Sequence, residues 1–267
     1  MSRSVASLGM YDHPAVRDAN DRLWAEIAQT LRDLGVANVP AALDRARPLA
    51  DIWQDPGLLL AQCCGYPLLK THAHQLRIVG VPVYMLEGEA SADHFSLIVV
   101  GQADDAASLA ALQGRRAAIN DRFSNSGMNL FRAAVAEHAT HPHFFGAVLE
   151  TGGHRESALA VAEGRADVAA IDAISFAHLA RAEPGITARL RILQRTASSP
   201  NLPFVTSRQT PLETVGALRL ALTDVAHRSL AAGSLFLAGM ERADLARYQP
   251  VLDLEDRAIR KGYPVLR

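Results

Sequence analysis

Predicted strands and helices alternate through the middle of the chain, and this alternation restricts the fold more than any other feature of the sequence. Short runs of β-branched, aromatic or small apolar residues predict buried strands, and turn residues and a helical stretch follow each run. The predicted strands are 94–101, 115–120, 144–150 and 166–172. Such alternation is typical of an α/β domain with a largely parallel sheet.

The segments on either side of this block carry similar signals. The strands predicted there are 5–11, 58–64 and 77–84 before the block and 190–194 and 202–206 after it. Apolar residues at helical spacing predict a helix after the first of these strands and another beyond the last. The tail from Val251 is weakly patterned. Because no low-complexity linker separates the parts, we expect the chain to cross between two lobes on strands.

The overall charge limits the partners that the chain is expected to bind. Its formal net charge is −1, and 21% of its 267 residues are charged. Nucleic-acid-binding proteins present a concentrated basic face, so we expect no nucleic-acid partner and only local recognition of anions.

Apolar segments give an expectation for localisation. No apolar run approaches the roughly 20 residues of a membrane-spanning helix, and the start of the sequence lacks the apolar stretch of a secretory signal. We therefore expect no membrane span. As written, the sequence predicts a cytoplasmic protein, and a precursor with an extended N-terminus would be periplasmic.

Cys63 and Cys64 are the two cysteines of the chain, and they are adjacent. Disulfide geometry strains the peptide bond between neighbouring cysteines. We therefore expect two reduced thiols packed at the end of a strand, and we assign them no catalytic or redox role.

Two predicted strand-to-helix turns share one composition. The first, 120–127, reads Asn-Asp-Arg-Phe-Ser-Asn-Ser-Gly, and the second, 151–157, reads Thr-Gly-Gly-His-Arg-Glu-Ser. A helix N-terminus offers unpaired N–H groups and a partial positive charge, and both favour an oxyanion. Glycine lets a ligand approach the backbone, while Ser and Asn supply further donors. Ligands of open α/β sheets bind beyond the carboxyl ends of the strands, where both turns are expected.

These turns predict a site for a small anion. In the first turn the candidate residues are Asn120, Ser124, Asn125, Ser126 and Gly127. A plainer alternative stays open, because Ser, Thr and Asn are common N-cap residues in helices that bind nothing.

Several segments together carry a wider pattern. They are 114–120 (Gly-Arg-Arg-Ala-Ala-Ile-Asn), Ser124-x-Ser126-Gly127, 151–157 (Thr-Gly-Gly-His-x-x-Ser), 161–172 (Val-Ala-Glu-Gly-Arg-Ala-Asp-Val-Ala-Ala-Ile-Asp) and 62–67 (Gln-Cys-Cys-Gly-Tyr-Pro). With them, nearly the whole chain resembles the phosphate- and phosphonate-type substrate-binding proteins of ABC transporters. The stretch from His154 to Asp172 is the most specific part of this resemblance.

The resemblance implies a type 2 periplasmic-binding-protein fold. Such a fold is α/β and two-lobed, and each lobe is a mixed, mostly parallel sheet flanked by helices. Residues 1–93 and 200–267 would form one lobe and 94–199 the other, with the ligand in a cleft between lobes that close by hinge motion. The partner that receives the ligand would be an ABC permease or a cytosolic protein.

The resemblance also implies roles for individual residues. The residues that would hold the anionic group are Ser124, Ser126, Gly127, His154 and Ser157. Those that would line the cleft are Tyr11, Tyr66 and Asp172. Asp172 would accept a hydrogen bond from a protonated oxygen or an amine of the ligand, and its alternative role is to cap the helix after its strand.

The expected function is the binding of a small anion, either phosphate, a phosphonate, or a related phosphorylated or carboxylated metabolite. The chain lacks HExxH, GxSxG, P-loop and GxGxxG motifs, so we predict no catalytic residue, metal site or cofactor. The cluster of His138, His141 and His143 fits a solvent-exposed segment at the end of a helix. Two alternatives stay open, namely a cytosolic enzyme on the same fold that acts on a small anionic metabolite, and a cytosolic sensor that reports ligand occupancy to a partner.

Overall fold

The computed structural model of the protein describes residues 4–267. The strands, numbered in chain order, are β1 (Val5–Ser7), β2 (Leu58–Gln62), β3 (Leu76–Leu86), β4 (Glu89–Ser91), β5 (Asp93–His94), β6 (Ser96–Gly101), β7 (Arg116–Ile119), β8 (Ala147–Glu150), β9 (Val168–Asp172), β10 (Leu190–Arg195), β11 (Ser199–Pro200), β12 (Phe204–Ser207) and β13 (Leu237–Glu241). The helices are α1 (Arg17–Asp33), α2 (Leu49–Trp53), α3 (Gly65–Pro67), α4 (Leu130–Ala136), α5 (His154–Ala162), α6 (Ala173–Ala182), α7 (Pro184–Thr187), α8 (Leu212–Arg228), α9 (Leu230–Ser234) and α10 (Gln249–Arg260). Across residues 4–267, no helix is both long enough and apolar enough to cross a membrane.

The contacts within the chain divide it into two units. The first unit comprises the chain up to Asp93 together with Pro200–Tyr248, and the second comprises His94–Ser199 and Gln249–Arg267. The sequence-based division has the same two internal boundaries, but it assigns everything beyond residue 200 to the first lobe. For residues 249–267 that assignment is wrong.

The first unit is built on a mixed sheet with the strand order β1-β2-β12-β3-β13, and β4 pairs with β3. β1 and β2 are parallel, whereas β12 is antiparallel to both of its neighbours, and β13 and β4 are antiparallel to β3. Helix α1 packs its apolar stripe into this unit. Its buried residues Leu23, Ile27 and Leu31 follow one another at four-residue spacing, as an amphipathic helix requires.

The second unit is built on a sheet with the strand order β10-β6-β9-β7-β8. β7 is parallel to both β8 and β9, and β6 is antiparallel to β9 and β10. Buried residues of β6, β9 and α5 form its core, among them Val99, Ile171 and Val161. The parallel register sets Ile119 opposite Glu150, so the carboxyl ends of β7, β8 and β9 lie at one edge of the sheet.

The predicted α/β class is confirmed, but the prediction that both sheets are mostly parallel is wrong. Most strand pairs of the first unit are antiparallel, and the second unit has both kinds of pair. Besides β4 and β13, which pair with β3, the antiparallel strands include β12 and β6, and these two follow directly on points where the chain changes unit. A parallel pair needs a crossover connection, usually a helix. No crossover helix precedes β12 or β6, and each of them is antiparallel to its two neighbouring strands.

The C-terminal segment of the second unit is helical, although its sequence looked weakly patterned. Val251, Leu254 and Ala258 are buried at helical spacing on α10. Leu254 packs against α4, and the backbone N–H of Phe144 donates to the carbonyl oxygen of Arg267 at 2.7 Å. These contacts explain why the segment belongs to the second unit rather than the first.

A buried hydrogen-bond network joins α10 to the turn before α4. The side-chain amide of Asn129, which is 0% exposed, donates to Asn125 Oδ1 at 3.0 Å and to the Val251 carbonyl at 2.9 Å. Asn129 Oδ1 accepts from Arg132 Nη2 at 2.6 Å. One side chain therefore satisfies a buried carbonyl, a buried amide and a buried guanidinium.

Replacing Asn129 with alanine (Asn129→Ala) is expected to destabilise the protein by about 2–4 kcal/mol, because several buried polar groups lose a partner at once. Urea denaturation followed by circular dichroism measures this change. Gln249→Ala, at an exposed position on α10, is the control and should lie within about 0.5 kcal/mol of wild type. A similarly small effect of Asn129→Ala would contradict the structural role given to this residue.

Candidate functional site

The first predicted turn begins where β7 ends, and Ser124 caps the helical segment that follows. Its backbone is extended, and its Oγ accepts a hydrogen bond from the Gly127 N–H at 3.0 Å. A π-helical turn, Asn125–Asn129, then leads directly into α4. The N-cap alternative raised by the sequence therefore holds for Ser124. Accepting this bond still leaves a hydroxyl its hydrogen to donate.

The second turn is tied to the end of β7 by backbone hydrogen bonds. The Thr151 N–H donates to the Ile119 carbonyl, and the Gly152 N–H donates to the Asn120 carbonyl, both at 2.9 Å. Gly152 has a φ of +87°, a conformation that favours glycine. Gly153 follows as the extended N-cap of α5, where a Cβ would overlap the carboxylate of Glu156. The shape of the turn thus requires a glycine at Gly152, whereas a Cβ at Gly153 would only displace the end of the exposed Glu156 side chain.

The two turns meet at a hydrogen bond between Ser126 and His154. Ser126 Oγ lies 2.9 Å from His154 Nε2, and the Ser126 carbonyl accepts a hydrogen bond from Ser96 Oγ at 2.9 Å. Ser126 is 4% exposed. The structure therefore brings together the two turns that the sequence singled out, at the carboxyl edge of the second unit's sheet.

The opposite nitrogen of the His154 ring faces the end of β9. Nδ1 lies 3.4 Å from the backbone nitrogen of Asp172, which donates to it. An Nδ1 that accepts a hydrogen bond places the proton of the neutral ring on Nε2. In this tautomer Nε2 donates to Ser126 Oγ, and the hydroxyl hydrogen of Ser126 is available for another acceptor. In the other tautomer the ring donates on the β9 side, where the Ala170 carbonyl is an acceptor, and Ser126 donates to Nε2.

The surroundings of His154 favour its neutral form. Burial lowers the pKa of the imidazole below its ordinary value of 6.5, and the nearby His94 lowers it further. The Asp172 carboxylate and the Ala170 carbonyl oppose this change without reversing it. Around neutral pH, His154 is therefore an uncharged hydrogen-bonding group.

Asp172 has the capping role that the sequence left as the alternative to ligand contact. Its Oδ1 accepts the Ser175 N–H at 2.9 Å, so it is the N-cap of α6. Its Oδ2 lies 3.8 Å from Nε2 of His94, and the side chains of both residues are 1% exposed. Within the described part of the chain, neither ring nitrogen of His94 has a hydrogen-bond partner.

Asn120 and Gly127 are in close contact beneath the turns. A Cβ on Gly127 would overlap the side-chain oxygen of Asn120 and would lie 3.2 Å from His154 Cε1. That oxygen, Asn120 Oδ1, is buried without a hydrogen-bond partner among residues 4–267. Gly127 therefore allows the first turn to pack directly on the end of β7.

Two other predicted ligand residues are bonded within the fold. The amide of Asn125 donates to Ser199 Oγ at 2.9 Å and accepts from Asn129 at 3.0 Å. The hydroxyl of Ser157, which is 0% exposed, lies 2.7 Å from Thr151 Oγ1. These contacts support structural roles in the two turns, and a ligand contact by either side chain stays a prediction.

The predicted tyrosines lie in the first unit, beyond the carboxyl ends of its parallel strands β1 and β2. Tyr11 is in a 3-10 turn after β1 and packs edge-on against Tyr84, with ring centroids 5.8 Å apart. Gln62, the last residue of β2, donates to the Tyr84 hydroxyl at 3.0 Å. Tyr66 is buried in α3, and Lys70 Nζ lies 5.8 Å from the centre of its ring. The role of Tyr11 and Tyr66 in ligand binding stays a prediction.

Three residues near these features were not among the sequence candidates, namely His94, Gln62 and Tyr84. A histidine at the start of an otherwise apolar strand and a glutamine at the end of another were visible signals.

Cys63 and Cys64, which follow β2, are buried and not joined by a disulfide, as predicted. Burial raises the pKa of the Cys63 thiol well above its ordinary value, which keeps it protonated.

A chain that passes between two sheet-bearing α/β units, with oxyanion-suited turns at a sheet edge, has the architecture of the periplasmic-type solute-binding proteins. The family model described as the periplasmic phosphonate substrate-binding protein of ABC transporters matches residues 60–253. The chain belongs to this family, and the resemblance seen in the sequence is confirmed. None of the curated protein sequences is significantly similar to it.

Solved structures show the same fold at low sequence identity. A binding-protein component of an ABC phosphonate transporter from Pseudomonas aeruginosa has a TM-score of 0.76 and 17% identity, covering 98% of this chain and 88% of that chain. PhnD1 from Prochlorococcus marinus, solved with methylphosphonate, has a TM-score of 0.74 and 15% identity, covering 97% and 98%. XAC2383 from Xanthomonas citri, solved with ATP, has a TM-score of 0.70 and 16% identity, covering 98% of both chains.

Gly127→Ala is expected to destabilise the protein by roughly 1–3 kcal/mol, because the added methyl group overlaps the Asn120 side chain. The change is measured by urea denaturation. Asn120→Ala removes the overlapping atoms, so the double variant should cost less than the sum of the single variants.

Gly185→Ala is the matched control for this experiment. Gly185 lies in the same unit, and a Cβ there would meet open space. This variant should be neutral or slightly stabilising, since alanine restricts the unfolded chain. Additive effects of Gly127→Ala and Asn120→Ala would contradict the contact described above.

The lowered pKa of His154 predicts a loss of stability in mild acid. Below about pH 6.5 the unfolded chain takes up a proton that the folded site resists, so the free energy of unfolding falls as the pH decreases. Urea denaturation of wild type and His154→Gln at pH 7.5 and 5.5 measures this. The wild type should lose more stability than the variant between the two pH values, and equal losses would contradict the prediction.

Proposed function

We propose that the chain binds a phosphonate, or a related small oxyanion, at the two turns of the second unit. The hydrogen bond of 2.9 Å between Ser126 Oγ and His154 Nε2 carries this proposal. It joins the starts of two helical segments at one sheet edge, so that donors from both turns can contact the same anionic group.

The hydroxyl groups supply suitable donors. In the tautomer of His154 with its proton on Nε2, Ser126 receives a hydrogen bond from the neutral ring and can direct its own hydrogen towards an oxyanion. Ser124 accepts the Gly127 N–H and has the same option. A hydrogen bond to a charged group contributes about 1.5–3 kcal/mol, roughly twice the value for a neutral pair. A few such donors are enough for specific binding of a small anion.

The salt bridges of the turns favour recognition by these neutral donors. Arg122, within the first turn, lies 3.2 Å from Glu150, and Arg155, at the start of α5, lies 2.6 Å from Glu183. The positive charges nearest to the donors in sequence are thus already balanced. This balance fits a site that relies on hydroxyl and N–H groups and the partial charge of helix starts.

Methylphosphonate is the first ligand to test. The family is defined by phosphonate binding, and the Prochlorococcus protein of the same fold was solved with that compound. The Xanthomonas protein was solved with ATP, which supports a test of larger phosphorylated ligands. Phosphate and carboxylated metabolites complete the panel.

Family membership also supports a partner and a location. Members of the family serve ABC transporters in the periplasm. We therefore propose an ABC permease as the partner and the periplasm as the site of action, the second of the two locations that the sequence left open.

An enzyme on this fold has less support. A serine bonded to a histidine is also the beginning of a nucleophilic site, in which a carboxylate orients the second ring nitrogen. Here His154 Nδ1 faces the backbone nitrogen of Asp172, and Asp172 Oδ1 caps α6. In the tautomer with its proton on Nε2, the ring donates to Ser126 rather than accepting the serine proton. This arrangement favours binding over catalysis.

Ser126→Leu is expected to abolish ligand binding. Methylphosphonate at a hundredfold excess over its Kd should raise the Tm of the wild type by about 5 °C or more. The variant should give no shift, because the leucine side chain lacks the donor and fills the space beside His154. Differential scanning fluorimetry measures both proteins.

Ser108→Leu provides the matched control, since Ser108 lies in the same unit and is exposed. It should keep the full shift. Absence of a shift in the wild type with every ligand of the panel would overturn the proposal, as would a full shift in Ser126→Leu. Recovery of unaltered methylphosphonate by 31P NMR separates binding from turnover, and release of phosphate would favour the enzyme.

A further inference from the structure

His94 is a buried histidine to which the fold assigns no hydrogen-bonding role. It is 3% exposed, and within residues 4–267 neither of its ring nitrogens has a hydrogen-bond partner. A buried polar group without a partner costs free energy, because it has lost its hydrogen bonds to water. An interior residue of this kind fits a contact with a ligand or a change of charge better than a packing role.

The ring lies close to the other titratable groups of the candidate site. Its Nε2 is 3.8 Å from Asp172 Oδ2, and it acts electrostatically on His154. His94 is the second residue of β5, which pairs with β11 (Ser199–Pro200), a strand without a charged residue. The charged residues next to His94 in the chain and at the end of β10 are engaged elsewhere. Asp93 pairs with Arg247 at 3.0 Å in the first unit, and the guanidinium of Arg195 lies 4.5 Å from the centre of the Phe95 ring.

An anion bound at the two turns would lie at the same sheet edge as a negatively charged side chain. Asp172 provides a buried carboxylate at the same sheet edge as the two turns. A phosphonate dianion placed there would meet a like charge in a medium that screens charges poorly. His154 does not compensate, because burial favours its neutral form. His94 is the other histidine of this cluster, and its Nε2 lies 3.8 Å from the carboxylate oxygen.

We propose that His94 takes up a proton when the anion binds, so that an imidazolium lies between the Asp172 carboxylate and the ligand. This inference rests on the proposed binding of an oxyanion at the two turns. It makes His94 a specificity-determining residue, since a dianion would be accepted together with a proton and its binding would strengthen as the pH falls.

The direction of the pH effect follows from linkage. Histidine changes charge between about pH 5 and pH 8. If the complex holds more protons than the separate partners, its affinity increases as the pH decreases, by up to about tenfold per pH unit for one proton. The protonation of the ligand itself contributes too, and comparison with a variant of His94 removes that contribution.

Proton uptake can be measured directly by isothermal titration calorimetry. Wild type, His94→Gln and His94→Asn are titrated with methylphosphonate at pH 7.5 in two buffers of different ionisation enthalpy. The wild type should take up more protons per bound ligand than either variant, by roughly 0.5–1. The affinity of the wild type relative to the variants should rise as the pH is lowered from 8.5 to 6.5. His154→Gln should keep the uptake if it still binds.

NMR of the wild type provides a test that does not depend on the variants folding. With 15N-labelled histidine, addition of methylphosphonate should convert one of the ten histidines from the neutral ring to the imidazolium. The absence of such a conversion overturns the proposal.

Each result has a distinct meaning. Wild-type binding with equal proton uptake in the His94 variants overturns the role of His94 and leaves anion binding intact. Loss of the uptake in His154→Gln alone assigns the proton to His154 and also overturns the proposal. No binding by the wild type at any pH overturns both this inference and the proposed function.

Discussion

The hydrogen bond between Ser126 and His154 is the contact on which the candidate site depends. It joins two helical starts that belong to different strand-to-helix connections. The geometry of this hydrogen bond depends on the parallel register of β7 and β8. The register sets Ile119 opposite Glu150, so the two strands end side by side and both turns begin at the same edge of the sheet. Gly127 completes it, since any larger residue would separate the first turn from the end of β7.

Local chemistry explains why much of this could be predicted from the sequence. A glycine with a φ of +87°, as at Gly152, and a serine that caps a helix, as at Ser124, are determined by neighbours within a few residues. Strand–helix alternation likewise identified the α/β class and the edge at which the turns lie. The two turns could be identified because their composition and their position after a strand agreed.

Features that depend on distant parts of the chain were not predictable in the same way. The stripe of Val251, Leu254 and Ala258 is present in the sequence, but only packing on α4 shows which unit the helix joins. The antiparallel insertion of β6 and β12 depends on where the chain changes unit. His94 became a candidate only when its neighbour Asp172, far along the chain, proved to be 3.8 Å away.

The placement of polar groups shows where this fold gives up stability. Buried hydroxyl, imidazole and carboxylate groups cost free energy unless they are bonded, and apolar residues would pack the same edge more firmly. Asn120 Oδ1 and both ring nitrogens of His94 are buried without partners in the described residues, and both residues belong to the cluster around His154. Proteins tend to break the rules of good packing at functional sites. Because these three buried atoms lie near the place where two anion-suited turns meet, a ligand bound at the carboxyl edge of the second sheet would compensate for part of their cost.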